Sequence, residues 1–349
     1  MSFIYNRKDK DLPPMPLYEF DPCREVLLKK SYERYSLFPI RYHDIWESRN
    51  NQINKIWFSH DIDFSKDRID FASLATNVQT LVLKTLSFFA NADNLVLENL
   101  ADEFVNQIQV PESRMAYAAS AYMETIHIEV YNLAIDTVVT DEVQKEAIFR
   151  AVVNDPIIQP KFHWSEQFLN RDIPFSIRLL IMTFTEGILF SSAFVVFIYL
   201  RMVLKKCPGI SLGNEAIMID EGMHVVNNVI HYLHIVQKVP TEIVHAICED
   251  FVQFEIEFAS KLLDTDDPIS DLSFQDMSNY IKCVANTVLS LLKVPILYPN
   301  ARNPFQFMET VGLPTKSNFF EKNLIEYENP RSETSKHKPI VNMGFSCDD

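Results

Sequence analysis

The chain has 349 residues, 47% hydrophobic and 23% charged, enough to bury a sizeable core. Lys+Arg 32 against Asp+Glu 47 leave a net charge of −15, which argues against non-specific binding of nucleic acid, since that needs cations to neutralise phosphates. The chain has only 6 glycines, where an average soluble protein of this length would have about 24, so Gly-rich phosphate loops and turn-dense β folds are disfavoured and long helices favoured.

At the N-terminus, the run from Met1 to Pro16 has no apolar stretch of the secretory type. Pro13, Pro14, Pro16 and Pro22 mark an irregular opening, so residues 1–20 are expected to form a flexible arm. Long proline-free intervals follow, each able to hold a long helix. They define a helical domain over 21–312. In 75–107, Leu86, Phe89, Ala90, Val96, Leu97 and Leu100 recur at helical spacing around one acid, Asp93. Between Arg178 and Arg201 the only charge is Glu186. That segment is long enough to span a membrane, but an acid at its midpoint is costly in lipid. A helix buried on all sides of a bundle explains it better. Residues 313–349 are polar and are expected to form a flexible tail. Cys23, Cys207, Cys248, Cys283 and Cys347 are scattered without a CxxC pair, which fits a reducing, cytoplasmic setting.

Two Glu-x-x-His motifs stand in the apolar helical stretches: Glu124-Thr-Ile-His127 and Glu221-Gly-Met-His224. Residues three apart share a helix face, so each pair can offer an oxygen and a nitrogen to one metal. Asp93 precedes the first motif and Glu186 the second, so the same plan occurs twice. A helix bears one inward acid, and the next bears Glu-x-x-His. This resembles the ligand plan of ferritin-like dinuclear carboxylate proteins, with Asp93 where that plan has a glutamate. Four acids buried together would repel one another and resist desolvation. Two divalent cations neutralise them. A third match, Glu242-Ile-Val-His245, follows Pro240-Thr241 and is better explained as the acidic first turn of a helix. Gly187 and Gly222 follow two of the acids, which suggests close helix approach or a π-bulge there.

Tyr131 lies four residues after His127 on the same face, within reach of a metal-bound centre as an electron donor. Phe190 and Phe194 share the face of Glu186, and Ile217 precedes Glu221 by one turn. These three form an apolar shield that would exclude water and reductants from an oxidised tyrosine.

Asp93, Glu124-Thr-Ile-His127, Tyr131, Glu186-Gly187 and Asp220-Glu221-Gly-Met-His224 resemble, in order and spacing, the small subunit of class I ribonucleotide reductases. Phe-Pro-Ile-Arg-Tyr-His-Asp-Ile-Trp at 38–46, Asn-Pro-Phe-Gln-Phe-Met at 303–308 and Asn-Phe-Phe-Glu-Lys at 318–322 resemble its eukaryotic branch. The resemblance implies an all-α, ferritin-like bundle with additional helices. It implies two iron ions, oxo-bridged when oxidised, that activate dioxygen to generate and store a tyrosyl radical on Tyr131. The metal ligands would be Asp93, Glu124, His127, Glu186, Glu221 and His224, a set that manganese also accepts. Trp57 would relay an electron, Asp220 would link His127 to it, and Tyr327 would hand the radical to a large subunit. That large subunit reduces ribonucleotides to deoxyribonucleotides for DNA replication. The family works as a dimer, here with a second copy or a paralogue, and its C-terminal tail docks on the large subunit. Neither nucleic acid nor membrane is an expected partner.

Two positions depart from the pattern. Ile219 stands where the eukaryotic branch has arginine before Asp220, and the chain ends Gly344-Phe-Ser-Cys-Asp-Asp349 with no phenylalanine after the last acids. Two rival readings accompany the main one. The first is another di-iron oxidase, such as a monooxygenase, desaturase or ferritin-like store. The second is a structural subunit supporting a catalytic paralogue.

Overall fold

The computed structural model describes residues 1–8, 15–150, 159, 172–265 and 267–308. Among them, strand is confined to a two-residue antiparallel pair, Ser2–Phe3 against Tyr18–Glu19. The rest of the architecture is helical, as the scarcity of glycine and the proline spacing require. In sequence order the helices are α1 His43–Asn54, α2 Asp67–Ala72, α3 Thr76–Glu98, α4 Pro111–Val138 and α5 Glu142–Phe149. Then come α6 Phe175–Phe184, α7 Ser191–Tyr199, α8 Pro208–His234, α9 Thr241–Leu262 and α10 Phe274–Leu291.

The two longest helices, α4 and α8, start alike, with a proline in the first turn where its missing N–H is no loss. The start of α8 is satisfied from outside, because the Asp67 carboxylate on α2 accepts from the N–H groups of Gly209 at 2.9 Å and Ile210 at 2.6 Å. Helices α3, α4 and α8 pack side by side with the α6–α7 run, and α1, α9 and α10 close the outside.

The apolar run forms a 30-residue helical segment, Phe175–Leu204, interrupted by π turns at Thr185–Leu189 and Leu200–Leu204. Among the described residues it is the one helix long and apolar enough to cross a membrane, but 78% of its most apolar stretch is buried inside the protein. It is the central helix of the bundle.

The expected helix over 75–107 is α3 followed by a π turn, Asn99–Phe104. Leu86, Phe89, Ala90, Val96 and Leu100 are all buried in the core. The N-terminal arm, expected to be flexible, is tethered where it is described. Tyr5 Oη donates to Asp250 at 2.9 Å, Arg7 pairs with Glu249, and Tyr18 Oη lies 2.9 Å from Ser176 Oγ. Burial of Tyr5, Tyr18 and Phe20 supplies the anchorage. Isolated aromatics between prolines have no periodicity, so the sequence pattern does not reveal them. The expected tail over 313–349 lies outside the described residues.

Candidate metal centre

All six predicted ligands meet at the middle of the bundle. Asp93 projects from α3, Glu124 and His127 from α4, Glu186 from the π turn Thr185–Leu189, and Glu221 and His224 from α8. Every one of them is essentially fully buried. Their donor atoms fall into two groups, Asp93–Glu124–His127 and Glu124–Glu186–Glu221–His224, and within each group all lie within 4.8 Å of one another.

Glu124 belongs to both groups. Its Oε2 lies 3.3 Å from His127 Nδ1 and its Oε1 3.0 Å from His224 Nδ1. Glu221 is placed likewise, with Oε1 3.2 Å from His127 Nδ1 and Oε2 3.4 Å from His224 Nδ1. Two carboxylates therefore stand between two histidines, with Asp93 at one end and Glu186 at the other. His127 Nδ1 is 4.0 Å from Asp93, and His224 Nδ1 is 3.9 Å from Glu186.

These atoms are otherwise without partners. Both oxygens of Asp93, Glu124 and Glu221, Oε1 of Glu186, Nδ1 of His127 and both ring nitrogens of His224 make no hydrogen bond. Unpaired carboxylates in an interior are expensive, and so many aimed at one another have no rationale except a shared cation site. Two divalent ions would balance the four carboxylates, and the O/N donor set suits first-row metals. The residues fit such a pair.

Electrostatics of the protein alone show the same need. Burial, then the neighbouring carboxylates Glu124 and Glu221, push the Asp93 carboxyl well above its usual range. Burial first, and then Glu221 and Glu124, do the same to Glu186. Burial also acts on Glu124, but the two histidines outweigh it and pull its carboxyl down to about 2. Burial opposes protonation of His127 and His224, yet their carboxylate neighbours raise both well above the ordinary imidazole value. Without cations, the cluster recruits protons to replace them.

Outside the ligands, Glu186 Oε2 accepts from Asn228 Nδ2 at 2.8 Å. Asp220 Oδ2 lies 3.1 Å from His127 Nε2 and accepts from the Trp57 indole at 2.8 Å. Trp57 follows α1, is half-buried, and lies nearly parallel to the His127 ring at 6.4 Å between centroids. The residue before Asp220, Ile219, is 44% exposed.

Tyr131 is fully buried, and its hydroxyl donates to Asn214 Oδ1 at 3.0 Å. Its ring stacks on Phe89 at 4.9 Å with 1° between planes. Phe194 and Phe190 reach Phe89 in turn, at 4.9 and 5.3 Å between centroids. Ile217 is fully buried on α8. Burial, and then the charges of Asp93, Glu221 and Glu124, hold the Tyr131 phenol well above its ordinary pKa, so it is protonated.

Glu242 is exposed in the first turn of α9, and His245 Nε2 is bonded to the Pro295 carbonyl at 2.8 Å, away from the cluster. Tyr327 lies outside the described residues. Gly187 sits in the π turn, where a Cβ would lie 2.9 Å from Val288 Cγ2, whereas Gly222 lies in uninterrupted α-helix. Three contributors were not singled out as site residues from the sequence: Asn228, Asn214 and Phe89. Helical periodicity places each on the inward face without naming its partner, since Asn228 lies one turn after His224, Asn214 two turns before Glu221, and Phe89 one turn before Asp93.

Comparison with known proteins gives a consistent result. The profile of the family described as "Ribonucleotide reductase, small chain" matches residues 34–304. A ribonucleoside-diphosphate reductase small chain of Arabidopsis thaliana is 35% identical over 93% of this sequence and 94% of its own length. The small chain of Trypanosoma brucei brucei is 36% identical, with the same coverage. Among solved structures, the Rnr4 homodimer from Saccharomyces cerevisiae superposes with a TM-score of 0.74 at 28% identity, covering 87% of this sequence and 93% of that one. The R2 subunit from Clostridium botulinum, at 18% identity and a TM-score of 0.63 over 78% of this sequence and 87% of that one, shares the fold.

Proposed function

Because the chain belongs to the ribonucleotide reductase small chain family and is thus the small subunit of a ribonucleoside-diphosphate reductase, we propose that it holds two iron ions and stores an oxidising equivalent as a radical on Tyr131. The observation that carries this reading is the set of partnerless donor atoms on Asp93, Glu124, His127, Glu186, Glu221 and His224. Two redox-active ions bound there supply electrons for reducing dioxygen. Manganese suits the same donors.

The protein's own groups do the rest. Glu124 and Glu221 hold the two positions together, and Asn228 fixes the orientation of Glu186. Tyr131 supplies one electron and one proton from its phenol. The stack on Phe89, with Phe194, Phe190 and Ile217 behind it, keeps water and reductants from the oxidised ring. Asp220 accepts from both the Trp57 indole and the His127 Nε2–H, which gives an electron a hydrogen-bonded route between the centre and the half-buried tryptophan.

The further route runs to a large subunit through the C-terminal tail and Tyr327. The working unit is a dimer, with a second copy or a paralogue, and the homodimeric yeast neighbour supports that arrangement. The free thiols of Cys23, Cys207, Cys248 and Cys283 suit a cytoplasmic setting. The completeness of the six-donor set speaks against a merely supporting subunit, and the Trp57–Asp220 relay speaks against a self-contained oxidase.

The test is an electron paramagnetic resonance spectrum after adding Fe(II) and oxygen to the apoprotein. A tyrosyl signal is expected in the wild type and none in Tyr131→Phe, with metal content equal in both. An undiminished signal in the variant would sink the assignment.

A further inference from the structure

We propose that Asn214 is a positioning residue for the redox chemistry of Tyr131: it stabilises the reduced, protonated phenol and so makes the radical a stronger oxidant. The proposal rests on the radical reading above.

The geometry around the pair is fixed at three points. The phenol donates to Asn214 Oδ1 at 3.0 Å. Asn214 Nδ2 donates to the Ile210 carbonyl at 2.9 Å, one turn back on α8. That second bond settles which amide atom faces the phenol and resists rotation of the amide. The third point is the neighbouring Gly213, where a Cβ would lie 3.1 Å from Val130 Cγ1. Helices α4 and α8 therefore approach closely beside Tyr131 and Asn214, which are the next residues along each helix. Both residues are fully buried, and Phe89, the partner of Tyr131, is itself ringed by Phe190, Phe194 and Phe197. A buried amide in apolar surroundings is destabilising unless hydrogen-bonded. The phenol bond thus serves Asn214 as well as Tyr131.

Oxidation of Tyr131 removes one electron and one proton from its O–H bond. Both pass to dioxygen, whose reduction to water takes four electrons: two from the ferrous ions, one from the phenol and one from an external one-electron reductant, with the phenol's proton ending in water. An amide oxygen is too weak a base to retain that proton, so the bond to Asn214 is lost and not replaced. The phenoxyl oxygen then faces Oδ1, lone pair against lone pair. Turning Nδ2 towards it would forfeit the bond to Ile210. The reduced form therefore has a hydrogen bond that the radical lacks. One such bond biases the equilibrium towards phenol by about tenfold, which is about 59 mV for one electron.

Two measurements test this. The first uses apoprotein and ultraviolet resonance Raman spectra, in which the tyrosine doublet reports whether a phenol donates a hydrogen bond. Differences against Tyr131→Phe, taken in wild-type and Asn214→Leu backgrounds, isolate the Tyr131 band. A donating phenol is expected in the first background and a non-donating one in the second. The second uses iron-loaded protein and measures the fraction of radical remaining at equilibrium with a one-electron mediator. Asn214→Leu should shift that equilibrium about tenfold towards the radical, with metal stoichiometry unchanged. Gly213→Ala, which presses a Cβ to within 3.1 Å of Val130 Cγ1 beside the pair, should shift both readouts in the same direction by less. It also keeps the test open if the leucine variant fails to fold. A Raman band unchanged by Asn214→Leu, or an unchanged equilibrium, overturns the proposal alone. Absence of any radical in the wild type overturns the radical reading, and this proposal with it.

Discussion

The indole nitrogen of Trp57 donates to Asp220 at 2.8 Å, and the same carboxylate oxygen lies 3.1 Å from His127 Nε2. One acid thus joins a half-buried aromatic ring to a histidine whose other nitrogen faces the carboxylates of Asp93, Glu124 and Glu221. The bond fixes the tautomer that His127 must adopt as a ligand: Nε2 carries the proton and Nδ1 is free for metal.

Asp220→Asn keeps the shape of this link but removes its charge. Both partners meet the same oxygen, so an amide oxygen in its place can still face both but without the negative charge that strengthens each bond. Hydrogen bonds to charged groups contribute about 1.5–3 kcal/mol, so nucleotide reduction with the large subunit should fall at least about tenfold. Metal content and the Tyr131 radical should persist. Turnover assays and radical quantitation on the same preparation decide it, and undiminished turnover would remove Asp220 from the relay.

Glu124→Ala and Glu221→Ala should each lose bound metal, because each carboxylate faces both histidines. Glu242→Ala should bind metal normally, since that side chain is exposed at the start of α9. Metal analysis of the three purified variants checks the contrast. Loss of metal from the third would show that the wrong motif had been set aside.

The apoprotein should lose stability as pH rises. Asp93 and Glu186 are raised chiefly by burial, and His127 and His224 are raised by their carboxylate neighbours despite burial. A group whose folded pKa lies above its unfolded one binds more protons when folded, so its contribution is complete below the unfolded value and lost above it. For the histidines that loss begins at about pH 6.5, and for the two carboxyls near pH 4. Glu124, held at about 2 by the histidines against burial, acts oppositely but only in acid. Apoprotein should therefore melt lower at about pH 9 than at about pH 6.5. Metal displaces these protons, so loaded protein should show a much flatter dependence. Parallel melting curves with and without Fe(II) check it, and equal slopes would count against the charge balance argued above.

Gly187→Ala should destabilise the fold. The added methyl would lie 2.9 Å from Val288 Cγ2 and 3.3 Å from Val225 Cγ2. Overpacking costs about 1–3 kcal/mol, offset in part by the better helix propensity of alanine, about 1 kcal/mol. Adding Val288→Ala should restore part of the melting temperature. A double variant no more stable than Gly187→Ala would place the strain elsewhere.

The buried carboxylate–histidine cluster was legible in the sequence because helices convert spacing into direction. Glu124 and His127 must share a face, as must Glu221 and His224, and four buried acids need cations whatever the details of packing. The same regularity put Tyr131 on the face of His127, and the single charge between Arg178 and Arg201 marked a helix at the centre of a bundle. Tertiary structure decided what runs between elements distant in the sequence. Asn214 faces Tyr131, Asn228 faces Glu186, and Asp67 closes the start of α8. Which of two adjacent inward-facing atoms meets a given partner depends on how far one helix is turned and slid against another. Side-chain volumes such as Val130 against Gly213 set that relation, and no periodicity within a single helix encodes it.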